Sequence, residues 1–302
     1  MPARSYCHPH QGVAYRWRWV WGAFERRHGA LLAVVAAVVL IVAGCGGDKK
    51  ESTSANTQQA AGPALKGLVT DGKLTVGTEL PAPPFWIGND YDSLTGGFEV
   101  DLAKEIAKRL NLGDVKFVEM PFTGLVAGQR CRCDINFSQV TITDDRAKVV
   151  DFTEPYFEAN QGVLVKKGTT VASADDAKKL RWGAQANTTG AGYLTDTLKP
   201  ASEAKLYEKT VDMFTAFNAG QISAVMLDTP ILLGAVKNNQ VRDAEVVGQF
   251  KTGEQYGGVL KKNSPNLEAF NQVIKTLKSE GFISQLYDKY FGGDPADVPV
   301  IS

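Results

Sequence analysis

The chain has 302 residues, 44% of them hydrophobic, with 33 basic and 33 acidic side chains. The first 45 residues hold five arginines and one glutamate, so the remainder carries 28 basic against 32 acidic groups, a net charge of −4 that argues against nucleic acid as a partner. All three histidines, His8, His10 and His28, fall in that same opening stretch. A mature chain without them has no Ser-His-Asp or Cys-His chemistry and few routes to a zinc site, and no metal or cofactor is expected.

In chain order, a basic start leads into "ALLAVVAAVVLIVAGC", an apolar run that ends at Cys45. It is short for a bilayer-spanning helix, which needs about 20 apolar residues. The basic start, short apolar core and small-residue exit predict an export signal over residues 1–45. Its end, "VAGC", resembles the lipobox of bacterial lipoproteins, which implies lipidation of Cys45 and anchoring on the outer face of the cell membrane. Residues 46–65 are polar and rich in Gly, Ser, Thr and Gln, the composition of a flexible tether.

From Lys66 onward strands and helices alternate. "KLTVGT" predicts a strand, and "GFEVDLAKEIAKRLNLG" a helix with Leu102, Ala103, Ile106 and Leu110 on one face and Gly113 at its end. "VKFVEM", a short helix near "FTGLVAG" and the strand "DINFS" follow. In "RCRCD", Cys131 and Cys133 suit either a small disulfide or two reduced thiols. A second set begins near Gly162. It comprises the strand "GVLVKK", the helix "SADDAKKL", the strand "RWGAQ", a helix over "TTGAGYLTDTL", the helix "VDMFTAFNAG" stopped by Gly220, the strand "SAVMLD" and the helix "TPILLGAVKNN". The strand "YGGVLKK" and two amphipathic helices close the chain. This alternation predicts an α/β protein with mostly parallel sheets, and about 235 ordered residues suit two lobes.

Seven segments in order, from "GKLTVGTELPAPPFW" through "SQVTITDDRAKVVDFTEPYF" and "QANTTGAGYL" to "EQYGGVLKKNSPNLEAFNQVIKTLKSEGFISQLYDKYFG", resemble the extracellular solute-binding proteins of family 3. These are amino-acid receptors of bacterial ABC importers. The resemblance implies a two-lobed, type II periplasmic-binding fold, with two mostly parallel sheets joined by a two-segment hinge. Lobe 1 would comprise residues 66–156 and 257–302 and lobe 2 residues 157–256, with crossings near "EPYFEAN" and "TGEQYG". The implied partners are a free amino acid and the permease and ATPase subunits of an importer, and a monomer is expected.

A free amino acid presents a carboxylate and an ammonium on one carbon. A planar, permanently charged guanidinium suits the carboxylate, and the resemblance gives this role to Arg146. It adds the hydroxyl and N–H of Thr141, a main-chain contact at Gln139, and Thr188 and Thr189 in "NTTG" ahead of a helix. Asp228, at the end of "SAVMLD", matches the acid that receives the ammonium. Glu79 matches an acid near the ligand's side chain, Phe122 an aromatic platform, and Gln185 a position where some members carry lysine. Where many members have a second aromatic platform this chain has Ala82, with Trp86 a candidate to compensate. Glu79 and Gln185 together favour a polar ligand side chain, cationic or amide.

Plainer readings exist for each residue. Arg146 could pair with Asp144 or Asp145 at a helix start capped by Thr143, and Asp228 could cap the helix that follows it. An alternative function is an exported enzyme similar to cyclohexadienyl dehydratases, with Glu79 as its acid. Another is a ligand-sensing subunit, which would need a separate output partner.

Overall fold

The computed structural model describes residues 63–291 and 295–302; the expected signal segment, Cys45 and the tether up to residue 62 lie outside them. β1 (Lys73–Thr78) coincides with "KLTVGT" and buries Leu74 and Val76 completely. α1 (Phe98–Arg109) follows, with Glu99 and Asp101 in its first turn and Lys108 and Arg109 in its last, signs that complement the helix dipole. Its end differs from expectation. Asn111, not Gly113, takes the left-handed conformation, at φ 56°. Asparagine tolerates that region because its short side chain bonds locally.

β2 (Asp114–Glu119), α2 (Phe122–Val126), β3 (Ile135–Asn136) and α3 (Asp144–Ala147) complete the first run. Cys131 and Cys133, ahead of β3, form a disulfide with their Cα atoms 5.1 Å apart. β4 (Val150–Lys166) leads to α4 (Ala174–Ala177), β5 (Trp182–Gln185) and α5 (Thr189–Gly192), which continues as a π-helical turn over Tyr193–Leu198. β6 (Lys205–Tyr207), α6 (Thr210–Asn218), β7 (Ala224–Asp228) and α7 (Thr229–Lys237) lead to β8 (Ala244–Lys261), α8 (Leu267–Ser279) and α9 (Phe282–Phe291).

The strands form one mixed sheet in the order β2-β1-β3-β8-β4-β7-β5-β6. β1 runs parallel to β2 and β3, and β5 runs parallel to β6 and β7. The two parallel groups expected from the resemblance are therefore present but continuous. The cause is the length of β4 and β8, 17 and 18 residues, which pair antiparallel through both groups. Register shifts near Phe152, Pro155, Phe157 and Gln161 bend the pair without ending it. Pro155 has no N–H to give the ladder, and such irregularities accommodate it.

One core lies under the first group, where Leu74, Phe85, Trp86, Phe98, Ile106, Phe270 and Leu277 pack together. The second group is covered on both faces, and its strands alternate accordingly. Val163, Val165 and Met226 face one cluster, while Leu164, Val225 and Leu227 face the other. The C-terminal residues depart from the expected assignment to the first lobe. Ile301 packs in the cluster of Val163 and Met226, its N–H donates to the Gln249 carbonyl at 2.8 Å, and the Ala174 N–H donates to the Ser302 carbonyl at 3.1 Å. Burial of Ile301 and the bonds of Gln249 to the Val298 and Pro299 carbonyls, at 2.7 and 2.8 Å, hold the tail on the second group.

A buried carboxylate organises the first core. Glu99 is fully buried and accepts bonds from the Trp86 indole, the Tyr156 hydroxyl, the Gln139 side-chain amide and, at 3.0 Å, the Gln139 N–H. All four donors are neutral, and burial raises the pKa of Glu99. Glu99→Ala would leave several buried donors without an acceptor, each costing about 1–3 kcal/mol, so the variant should lose roughly 2–4 kcal/mol of stability in urea denaturation. Glu268→Ala, on the surface of α8, should change it by no more than about 0.5 kcal/mol.

Candidate functional site

Arg146 is positioned by its helix start. Thr143 caps α3, its Oγ1 accepting the Arg146 N–H at 3.2 Å. The guanidinium does not pair with Asp144 or Asp145. Nη1 donates to the Thr141 carbonyl at 2.8 Å and Nη2 to the Asn187 carbonyl at 2.9 Å, so the side chain reaches from the first group to the second. It lies 5.5 Å from the centre of the Phe122 ring. Burial lowers its pKa, and the charges of Asp228 and Glu254 oppose that shift.

The strand end before it is unusual. Gln139 is left-handed, at φ 50°, and both its N–H and its side-chain amide are bound to Glu99. Its side chain is therefore committed to the core, and Gln139 offers the cleft its backbone. Thr141 is free to turn inward, where its hydroxyl donates to Glu254 Oε2 at 2.8 Å.

On the other side, Thr188 caps α5, accepting the Ala191 N–H at 3.1 Å while its hydroxyl donates to the Gln185 carbonyl at 2.7 Å. That hydroxyl is spent locally. The Thr189 hydroxyl instead points into the cleft and donates to Glu254 Oε2 at 2.6 Å. The helix expected over "TTGAGYLTDTL" forms, but only its first four residues are α-helical and the rest, Tyr193–Leu198, is π-helical. Gly190 is needed there, since a Cβ would lie 2.5 Å from Gln161 Oε1.

Asp228 stands at the N-terminal boundary of α7 but makes no side-chain capping bond. Its Oδ1 accepts from Gln161 Nε2 at 2.6 Å, and its Oδ2 accepts from the Tyr256 hydroxyl. Burial, with the nearby charge of Glu254, pushes its pKa up to about 7, against the pull of Tyr256, Gln161 and Arg146. Glu79 spans the cleft's other flank. Its Oε2 accepts the Phe122 N–H at 2.9 Å, and its Oε1 accepts from Gln185 Nε2, also at 2.9 Å. Thr210 donates to Gln185 Oε1 at 2.7 Å and fixes that amide's orientation.

All nine side-chain positions expected to contact a ligand thus line a single cleft: Glu79, Phe122, Gln139, Thr141, Arg146, Gln185, Thr188, Thr189 and Asp228. Ala82 lines it too. Trp86 does not compensate for it; the indole is fully buried in the first core and bonded to Glu99. Three residues that the sequence reading did not single out bond to residues of this lining: Gln161 from β4, and Glu254 and Tyr256 from β8. The only signal for the last two is period-two spacing, which puts residues 254 and 256 on one face of a strand. The free space left among these side chains is small, about 40 Å³. Among the described residues, no group of three histidine, cysteine, aspartate or glutamate side chains is placed to hold a metal ion.

The cleft has one guanidinium and several hydroxyls for an anion, and Asp228, Glu254 and Glu79 for cationic or amide groups. Comparison with known proteins shows what the chain as a whole resembles. The chain is 31% identical over 274 residues to the ABC transporter glutamine-binding protein GlnH of Bacillus subtilis (strain 168), covering 89% of this chain and 96% of that one. Among solved structures, it resembles an ancestral arginine-binding protein bound to arginine, with a TM-score of 0.66 and 36% identity over 73% of this chain and 99% of that one. It also resembles the ancestral amino acid-binding protein AncCDT-1, a precursor of cyclohexadienyl dehydratase, with a TM-score of 0.63 and 32% identity over 73% of this chain and 96% of that one. The profile of the bacterial extracellular solute-binding proteins, family 3, matches residues 74–293, and the chain belongs to that family.

Proposed function

We propose that this protein captures a free polar amino acid, with a cationic or amide side chain, and delivers it to the permease and ATPase subunits of an ABC importer. The observation that carries this reading is the convergence of Arg146 and Thr141 from one side with Thr189 and Asp228 from the other on one cleft. Arg146, Thr141 and Thr189 take the ligand's carboxylate, and Asp228 takes its ammonium. Phe122 packs beside the side chain, while Glu79 and Gln185 give it polar partners. Relatives that bind glutamine and arginine support a ligand of that class. Bending at the irregular centre of the β4–β8 pair opens and recloses the cleft, and the ligand favours the closed form through contacts with both sides.

The protein acts as a monomer held on the outer face of the cell membrane by lipid on Cys45, with residues 46–65 as a tether. Cys45→Ala should release it from the membrane fraction into the soluble fraction on cell fractionation. Retention of the variant in the membrane would remove the lipid anchor.

A calorimetric and thermal-shift panel of common amino acids on the purified protein tests the binding role. A ligand present at about 100 times its Kd should add roughly 2.7 kcal/mol of stability. Arg146→Ala and Asp228→Ala should each weaken that ligand by about 2–5 kcal/mol, the cost of truncating one side of a buried charge pair. Unchanged affinity in both variants would dismiss the site. Turnover of a ring-bearing carboxylic acid in the same panel would favour the dehydratase alternative.

The raised pKa of Asp228 adds a pH signature. Below about pH 7 this carboxyl is protonated, and an ammonium must expel its proton to form an ion pair. Affinity should therefore rise with pH up to about 7 and level off above it, by at most about tenfold per pH unit on the rising limb. Calorimetry in buffers of different ionisation enthalpy should record proton release on the rising limb. A flat affinity from pH 5.5 to 8 would contradict the role of Asp228.

A further inference from the structure

Glu254 stands among donors. Its Oε2 accepts the hydroxyls of Thr141 at 2.8 Å and Thr189 at 2.6 Å. Gln161 Nε2 lies 3.1 and 3.2 Å from its two oxygens. Its charge also acts on the Arg146 guanidinium. The two hydroxyls come from opposite sides of the cleft, one after β3 and one in α5. A guanidinium, two facing hydroxyls and an amide N–H form the donor set that a carboxylate requires. Here the two hydroxyls and the amide N–H are already bonded to a carboxylate belonging to the protein itself, while the guanidinium is bonded to backbone carbonyls.

Each hydroxyl has one proton to give, and two carboxylates competing for the same pair would repel each other at this range. A ligand carboxylate seated on these two hydroxyls would meet the Glu254 oxygens that already hold them. Glu254 is also able to leave. It is only half-buried, in the middle of β8, next to Gly253 at φ 65° and the exposed Gln255. A rotamer change carries its carboxylate toward solvent without moving the strand.

We propose that Glu254 is a tethered competitor for the ligand-carboxylate subsite, and that an amino acid binds by displacing the Glu254 carboxylate from Thr141 and Thr189. This rests on the carboxylate role given above to Arg146, Thr141 and Thr189. It makes Glu254 a selectivity residue. A ligand with a free carboxylate takes over the two hydroxyls, whereas one without it binds with Glu254 still in place and gains nothing from its removal. The site thereby discriminates against amines and amides of the same shape.

The test is calorimetric titration of the wild-type protein, Glu254→Ala and Glu254→Gln with L-arginine, L-glutamine and L-argininamide, each variant checked by thermal melting. Apparent affinity is reduced by the fraction of molecules whose subsite is closed, so Glu254→Ala should bind L-arginine or L-glutamine about tenfold more tightly than wild type. Glu254→Gln keeps the size of the side chain without its charge and should tighten binding by a smaller factor. It serves as the reporter if the alanine variant does not fold. L-argininamide, which has no carboxylate, should gain nothing from either change. Equal or weaker binding of the two amino acids by both variants would overturn the competitor role while leaving the binding role intact. An equal gain for L-argininamide would overturn it too, since the benefit would not depend on a carboxylate. Binding of neither amino acid by any of the three proteins would overturn both readings.

Discussion

Antiparallel pairing between the two longest strands, β4 and β8, sets where the charged groups of the cleft can lie. Val150 pairs with Lys261 at one end and Lys166 with Ala244 at the other, so one ladder serves both parallel groups. At its centre Glu158 and Ala159 lie opposite Gln255 and Glu254. From there Gln161, Glu254 and Tyr256 project toward groups that arrive at the ends of shorter strands. Asp228 arrives at the end of β7, and Thr141 and Arg146 in the segment after β3. Pro155 and the register shifts on either side of it weaken the ladder where bending costs least. A continuous, regular pair would hold the same side chains but resist any change in the angle between the two groups.

The electrostatics of the cleft follow from how these side chains are bonded. A single guanidinium is buried with two acids near it, and burying charge carries a desolvation penalty of several kcal/mol per ion. The structure offsets this with hydrogen bonds. Arg146 donates to two backbone carbonyls, Asp228 accepts from Tyr256 and Gln161, and Glu254 accepts from two threonines. The offset is incomplete, and the raised pKa of Asp228 is where the residue of that imbalance shows. Gln161 carries the same tension. Its Nε2 faces oxygens of Thr189, Asp228 and Glu254, while its buried Oε1 has no partner among the described residues. A cationic group entering beside Asp228 would relieve charge that the protein's own donors do not neutralise.

Much of this arrangement was legible in the sequence, and the gaps have physical reasons. "KLTVGT" and the helix from Phe98 have clean periodicity, and they form where expected. The cleft residues of "SQVTITDDR" and "NTTG" follow from ordered segments shared with a family. Arg146 shows that a plain and a functional reading can both hold in one turn, because Thr143 does cap the helix and the guanidinium still turns inward. The length of β4 and β8 was hidden because Pro155, Gly253, Gly257 and Gly258 read locally as breaks. Only pairing with a distant strand carries the ladder across them, and a linear pattern does not display that pairing. Glu254 was obscured for the same reason. In "KTGEQYGG" it looks like a turn acid, and its partners Thr141 and Thr189 lie 113 and 65 residues away.

What joins the two sides of the cleft also limits how firmly they can hold each other. The links nearest the site are polar: Glu79 to Gln185, Arg146 to the Asn187 carbonyl, and Thr141 and Thr189 through Glu254. Water can satisfy each of these groups, so a typical bond of this kind contributes only about 0.5–1.5 kcal/mol net. Apolar contact is harder to reverse, and some is present where α7 approaches the loop after β1 and Ile231 packs against the first core. There Gly234 faces Pro83 and Pro84, where a side chain would collide. A handful of weak polar links sums to a few kcal/mol, whereas a ligand bound at micromolar affinity supplies about 8 kcal/mol. A small zwitterion that replaces those links with its own charges can therefore dominate the balance between open and closed forms, which a greasy interface of the same size would not permit.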